Sequence, residues 1–387
     1  MFYLPYPSGA GMSESAGVGV IPAALGVRDC GPDDVDPPVS EMAYEKPLYS
    51  LNQVDKAGEA IVRGAEPDSP EWLKALPIFW NWRSAHAYPQ NAFYVTLHRR
   101  AKAISEDATI SQRLKRRESI VRKLWKNQKM ELSQMQDIAG CRAVMPTMAD
   151  VRALLENYRA HPVRSQLVRS TDYIASPRQS GYRGVHLMYR FNGRASSAPW
   201  NKLRVELQIR TALQHSWATA VEAVDLFTNQ QLKSEVGSSD WLEFFALVAG
   251  INAFQEGTAP VPGLSEGIDY IVDDLRALNA RLHAIETLDS FGRLASVIEA
   301  GYGAYWYLVV TNPREGNVSV YSYTKQELAE AELHYQKLEE NAEIQAVLVS
   351  ADSVLALRRA YPAYFADTMA FVINIRDALD GKLTAAA

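Results

Sequence analysis

Residues 205 to 211 read Val-Glu-Leu-Gln-Ile-Arg-Thr, alternating apolar and polar side chains without a break. Period-2 alternation marks a strand with one face in a core, here Val205, Leu207 and Ile209, and it gathers Glu206, Gln208 and Arg210 on the other face. A strand whose second face is wholly polar invites a functional explanation. Two more β-rich runs, 140–145 and 185–191, come before it, and a helical stretch at 149–158 lies between them. That order predicts an α+β fold, a mixed sheet with helices packed on it.

Upstream, Trp72, Leu76, Phe79 and Trp80, then Phe93, Leu97, Ala101 and Ile104, recur at spacings of three and four and predict two helices. Segment 110–124 places Ile110, Leu114, Val121 and Leu124 on one stripe, which predicts an amphipathic helix or helix-turn. Stretches 211–227 and 241–254 are also helical in spacing. After a Pro/Gly break at 257–263, a helical stretch to about 300 is expected. Then come β-runs at 305–310 and 317–323, joined by a turn containing Pro313 and Gly316. A charged helix at 325–341, a strand at 346–350 and a last helix complete a small ββαβα unit. Its glutamates can pair with a basic segment elsewhere or be solvated.

The chain has 387 residues, enough for two or three domains. Three segments are expected: a disordered leader, 1–65, whose first part is rich in Gly, Pro and Asp with little to bury; a main domain, 66–258; and an accessory segment, 259–387. Two cysteines, Cys30 and Cys141, exclude a disulfide framework or a Cys-based zinc site and suit a reducing cytoplasm. The apolar runs fall short of the roughly 20 residues a spanning helix needs, so no membrane partner is expected.

The formal net charge is −5, yet residues 99–126 hold ten basic side chains against three acidic ones. A local basic stretch in an acidic protein suits an anion bound at one place, or a solvated helix face. Within it, Arg113, Lys115, Arg116 and Arg117 cluster ahead of Ser119 and Lys123, as cations able to hold a triphosphate. Asp137 enters the β-run Gly140-Cys141-Arg142. A carboxylate there can hold Mg²⁺, or serve as a cap or turn residue. The run 172–186 reads as a loop ending in a strand. Gly181 and Gly184 allow close backbone approach to a ligand, Tyr182 offers a ring to a base, and Arg178, Arg183 and His186 can surround phosphates. A structural loop around a packed tyrosine is the plainer reading. Glu206 can share a metal or take a proton, with Arg210 setting its ionisation.

In this order the four segments resemble the synthetase domain of the RelA/SpoT family of alarmone synthetases, over roughly residues 90–230. Residues 214–219, Gln-His-Ser-Trp-Ala-Thr, look like the short single-domain members. The resemblance implies a nucleotidyltransferase-like mixed sheet flanked by helices, to which the ββαβα unit adds a smaller C-terminal α+β domain. It implies pyrophosphate transfer from ATP to the 3′-hydroxyl of GDP or GTP, releasing AMP and making (p)ppGpp. Asp137 would hold Mg²⁺, with Glu206 as base or second metal ligand. Arg113, Lys115, Ser119 and Lys123 would line the ATP side, Tyr182 would stack on the acceptor base, and Arg178, His186, Gln208 and Arg210 would shape the acceptor and phosphate region.

The chain departs from the family pattern in three places. Ser180 stands where many members carry an Asn that helps read guanine. A Tyr-Lys pair is replaced by Leu226-Phe227, leaving Lys233 as the nearest later lysine, and no histidine is followed by Asp, so the family's hydrolase pair is absent. Two other readings stay open: a toxin that pyrophosphorylates the 3′ end of tRNA, and a decayed site that senses nucleotide or RNA. Short relatives often form homo-oligomers.

Overall fold

The computed structural model describes residues 44–63, 69–228, 239–264, 267–291, 295–299, 305–312, 317–339, 344–350 and 368–383. Three helices lead in: α1 (Leu51–Arg63), α2 (Pro70–Ala85) and α3 (Ala87–Ile104). Ser69 starts α2 by accepting the Trp72 N–H at 3.2 Å, and Pro70 at the first position has no N–H to leave unpaired. Next come β1 (Thr109–Leu114), α4 (Arg117–Lys126), β2 (Ala139–Met145), α5 (Met148–Ala160), β3 (Gln166–Asp172), β4 (Val185–Arg190) and β5 (Arg204–Thr211). Thr147 and Asp150 form a reciprocal capping box at the start of α5.

A helical layer follows, α6 (Ala212–Thr228), α7 (Ser239–Glu256), α8 (Ile268–Leu282) and α9 (Ala284–Phe291). The last elements are β6 (Ala295–Glu299), β7 (Trp306–Asn312), β8 (Asn317–Tyr323), α10 (Leu328–Leu338), β9 (Gln345–Ser350) and α11 (Met369–Leu379). Helix α11 packs into the helical layer, with Phe371 beside Phe244 and Phe245.

The described strands form one sheet in the order β3-β4-β5-β2-β1-β9-β7-β8-β6. Strands β2 and β5 run parallel, as do β6 and β8, and the other pairs are antiparallel. The expected α+β arrangement, a mixed sheet flanked by helices, is the fold found. Val205, Leu207 and Ile209 sink into a core shared with Phe93 and Leu97 of α3 and Leu154 of α5. Burying each such side chain is worth about 2 kcal/mol. This fixes which face of β5 points away from α3 and α5.

Four stretches differ from the sequence reading. Segment 110–124 is strand β1 followed by α4, because Ile110, Gln112 and Leu114 alternate in period 2. The buried Gln112 interrupts that apolar signal, and its Nε2 donates to Ser350 Oγ at 2.9 Å. Strand β3 is an edge strand with a mostly exposed surface, so it has no apolar face to leave a mark. The helical stretch expected up to about 300 gives way to β6 at Ala295. Helix α1 falls inside the expected leader, 1–65, since Val54 and Ala57 are buried and Asp55 accepts the Ser133 N–H at 2.8 Å. Residues 1–43 lie outside the described residues.

The C-terminal strands continue the main sheet. Strand β9 pairs with β1 through Gln112–Ser350 and Arg113–Val349. Trp306, Leu308, Leu328, Tyr335 and Leu348 join the core that holds β1, β2 and α3. The charged helix α10 meets the basic segment, where Arg117 donates to the Glu339 main-chain carbonyl.

Candidate active site

Register across β1, β2 and β5 lines up two rows of side chains on one face of the sheet. Arg113 lies opposite Gly140, which lies beside Glu206; Ser111 lies opposite Arg142, which lies beside Gln208. Together with Lys115 and Asp137 they wall a solvent-open cleft. Gly140 leaves the floor low between the cation of Arg113 and the carboxylate of Glu206. Alternation within β5 is local, but these rows exist only because three strands separated in sequence pair in this register.

Asp137 sits just before β2 and is clamped by two lysines. Its Oδ2 accepts from Lys115 Nζ at 3.0 Å and Lys123 Nζ at 2.8 Å, while Oδ1 is buried without a hydrogen bond. Burial alone would raise this carboxyl, but the two ammonium groups outweigh it and hold its pKa at about 2. Lys115 comes from the bend between β1 and α4, and Lys123 from α4 itself.

Glu206, only 6% exposed, anchors a second chain of contacts. Its Oε2 accepts from Gln208 Nε2 at 2.7 Å, and its Oε1 lies 2.8 Å from His186 Nδ1. An ionised carboxylate only accepts, so Nδ1 donates; in a neutral imidazole His186 Nε2, 2.6 Å from the Tyr182 hydroxyl, then accepts a hydrogen bond from it. The far end of the relay is aromatic. Tyr182 is ringed edge-on by Tyr173, His186 and Trp217, and the exposed Arg178 lies 4.7 Å from the Tyr173 ring centroid and 5.9 Å from that of Tyr182.

The loop carrying Tyr182 is built by its own residues. Asp172 Oδ1 accepts the Ile174 and Ala175 N–H groups at 2.9 and 3.0 Å, starting the turn. Arg183 does not face phosphates as expected. It is buried and donates to the main-chain carbonyls of Gly181, Ala249 and Ala259, tying the loop to α7 and the residues after it. Nor does Gly181 approach a ligand: its φ is +86° and a Cβ there would lie 2.3 Å from Ala249 Cβ. Gly181→Ala therefore loses about 2–4 kcal/mol of stability in urea unfolding, from positive φ plus overpacking. A loss no larger than that of an exposed surface substitution would sink this account.

The structure brings Arg113, Lys115, Asp137, Glu206 and Gln208 to the cleft wall. Lys123 reaches it through Asp137, and His186, Tyr182 and Arg178 through Glu206. Ser119 sits in the first turn of α4 and is not among the lining residues. Arg210 is not a lining residue either; its guanidinium lies 2.6 Å from His215 Nδ1 at the start of α6, near Tyr182 and Arg142. Burial, aided by Arg142, pushes its pKa down to about 9, which leaves it charged at neutral pH. Lys233 lies outside the described residues. Arg142, Ser111 and Gly140 were not proposed as site residues from sequence, although period 2 from Gly140 points to Arg142. The buried Cys141 thiol, its pKa raised by desolvation, contacts the Gln90 carbonyl at 3.4 Å.

Among the described residues, no group of three or more His, Cys, Asp or Glu side chains gathers as a metal cage. Mg²⁺ does not require one, since it keeps its waters and takes one or two carboxylates. The unpaired buried Oδ1 of Asp137 and the nearby carboxylate of Glu206 are a donor set of that kind.

A family model described as a region found in RelA / SpoT proteins matches residues 112–231. Residues 112–231 are therefore similar to that RelA/SpoT region. It is similar to the GTP pyrophosphokinase YjbM of Bacillus subtilis, 37% identical over 89 residues, which are 23% of this chain and 41% of that protein. It is also similar to the GTP pyrophosphokinase YwaC of the same organism, 30% identical over 112 residues, covering 28% of this chain and 52% of that protein. The chain thus spans about half the length of these curated relatives. A crystal structure of the small alarmone synthetase 2 from Bacillus subtilis overlays with a TM-score of 0.37 at 20% identity, covering 48% of this chain and 95% of that one. Among the described residues no helix is long and apolar enough to cross a membrane.

Proposed function

We propose that this chain transfers pyrophosphate from ATP to the 3′-hydroxyl of GDP or GTP, releasing AMP and making (p)ppGpp. The observation that carries the reading is the shared cleft, whose wall holds Glu206 and Asp137 together with Arg113, Lys115 and Arg142. The acceptor oxygen forms a bond to the β-phosphorus of ATP, and the bond from that phosphorus to the α,β-bridging oxygen breaks. The hydroxyl proton passes to Glu206, and the leaving oxygen's negative charge is met by the cations of the cleft.

Arg113 and Lys115 bind the triphosphate and orient it in line with the acceptor; Lys123 keeps Asp137 ionised. Tyr182 and Arg178 offer the acceptor base a ring and a guanidinium plane. His186 and Gln208 hold the Glu206 carboxylate in one orientation, so the base is positioned before substrate arrives. When Mg²⁺ is bound, it neutralises charge on the transferring phosphates, and Asp137 Oδ1 would hold it. The two relatives are GTP pyrophosphokinases, which supports GTP as the acceptor, and the Tyr182 ring offers a platform to its base.

The test supplies purified protein with Mg²⁺ and ATP labelled on its terminal phosphate, and offers GDP, GTP and deacylated tRNA in parallel. Label in a guanine nucleotide is expected. Label on tRNA alone replaces the acceptor, and label nowhere overturns the enzyme reading.

A further inference from the structure

Arg83, in the last turn of α2, is 2% exposed, and no phosphate-side role reaches it there. Its Nε donates to the main-chain carbonyl of Lys115 at 2.8 Å. The N–H of the same Lys115 donates to the Ile138 carbonyl at 2.8 Å, next to Asp137. The Lys115 residue is therefore held at both its main-chain groups, at the bend where β1 ends and α4 begins. That bend sets where Lys115 and Lys123 meet Asp137.

The other side of Arg83 belongs to the C-terminal unit. Its guanidinium carbon lies 4.5 Å from the ring centroid of Tyr335 on α10, and 5.7 Å from that of Trp80. Ser84, the next residue, donates to Glu332 of α10 at 2.8 Å. Glu332 and Glu339 are both buried; burial pushes their carboxyls up, and the charge of Arg83 acts against that. A guanidinium can stack by its face and donate by its edge at once, which a lysine cannot do.

We infer that Arg83 is a positioning residue through which helix α10 fixes the Lys115 main chain, and with it the ATP side of the cleft. The inference rests on the pyrophosphate-transfer reading for what the cleft binds. It gives the C-terminal unit a task in the reaction: α10 supplies the surface on which Arg83 stacks, and β9 pairs with the strand bearing Arg113.

The test compares Arg83→Lys and Tyr335→Leu with the wild-type chain by thermal melting, hydrogen exchange, affinity for a non-hydrolysable ATP analogue, and KM for ATP and for the acceptor. Losing one charge-assisted hydrogen bond predicts a KM for ATP, and an analogue Kd, raised roughly tenfold in folded Arg83→Lys, with acceptor KM unchanged. Amides of 113–119 exchange faster in both variants, while those of α5 and β4 stay protected. Unchanged exchange at 113–119, or equal losses for ATP and acceptor, overturns the inference and leaves Arg83 a core residue only. If the wild-type chain binds no ATP analogue, the pyrophosphate reading fails by itself. The exchange arm then still decides whether Arg83 and α10 hold the Lys115 main chain.

Discussion

Glu206→Gln is expected to lower turnover by roughly a hundredfold to ten-thousandfold, the usual worth of a positioned general base, and to leave ATP affinity near its wild-type value. The substitution is nearly isosteric, and the site can absorb it. The new amide keeps its oxygen toward His186 Nδ1–H, while Gln208 turns its own amide to present oxygen to the new NH₂. The walls of the cleft stay in place and only the proton acceptor is gone. Steady-state turnover alongside calorimetric ATP binding reads the two effects separately. Wild-type turnover in the variant removes Glu206 as the base. Loss of ATP binding in parallel with turnover would make it a shape-keeping residue instead.

Asp137→Asn is expected to cost both stability and turnover. In the wild type, one carboxylate balances Lys115 and Lys123 at 3.0 and 2.8 Å, with Arg113 and Arg142 also on the cleft wall. Neutralising it leaves those cations facing one another and removes the negative charge that would hold Mg²⁺. Turnover falls by roughly a hundredfold or more, the scale of a lost electrostatic stabiliser.

The stability effect has a defined pH dependence. The folded pKa is about 2, below the ordinary aspartate value of 3.8, because Lys115 and Lys123 overcome the opposing effect of burial. A depressed folded pKa means stability is fully present above the unfolded value and is lost as pH falls through the folded one. Its size is about 2 kcal/mol. The gap in unfolding free energy between wild type and Asp137→Asn is therefore open at pH 7 and narrows from about pH 4 down to about pH 2. Urea unfolding across that range checks it, and a gap that stays constant with pH rules out the lysine clamp as its source.

Much of the site was readable because its signals are local. Period 2 in residues 205–211 separates Glu206 and Gln208 from Val205, Leu207 and Ile209 before any partner strand is known. The hairpin of β7 and β8 and the short β9 were likewise legible, being dense in Val, Leu and Tyr. Strand β1 was not, since Gln112 stands at its inner position and finds its partner in Ser350, far along the chain. A buried polar residue looks like an exposed one until that partner is in place.

The alternation of β5, the crowd of cations around Arg113 and the aromatic loop at Tyr182 are legible along the chain, because these depend on spacing over a few residues. Tertiary contacts are what turn Arg183 to main-chain carbonyls, set Arg210 against His215, bring Arg142 to the cleft and let Arg83, packed on α10, reach Lys115. Those outcomes depend on strand register and on which buried carbonyls need a donor. Register and buried pairing are settled by contacts between distant segments, so no local pattern carries them.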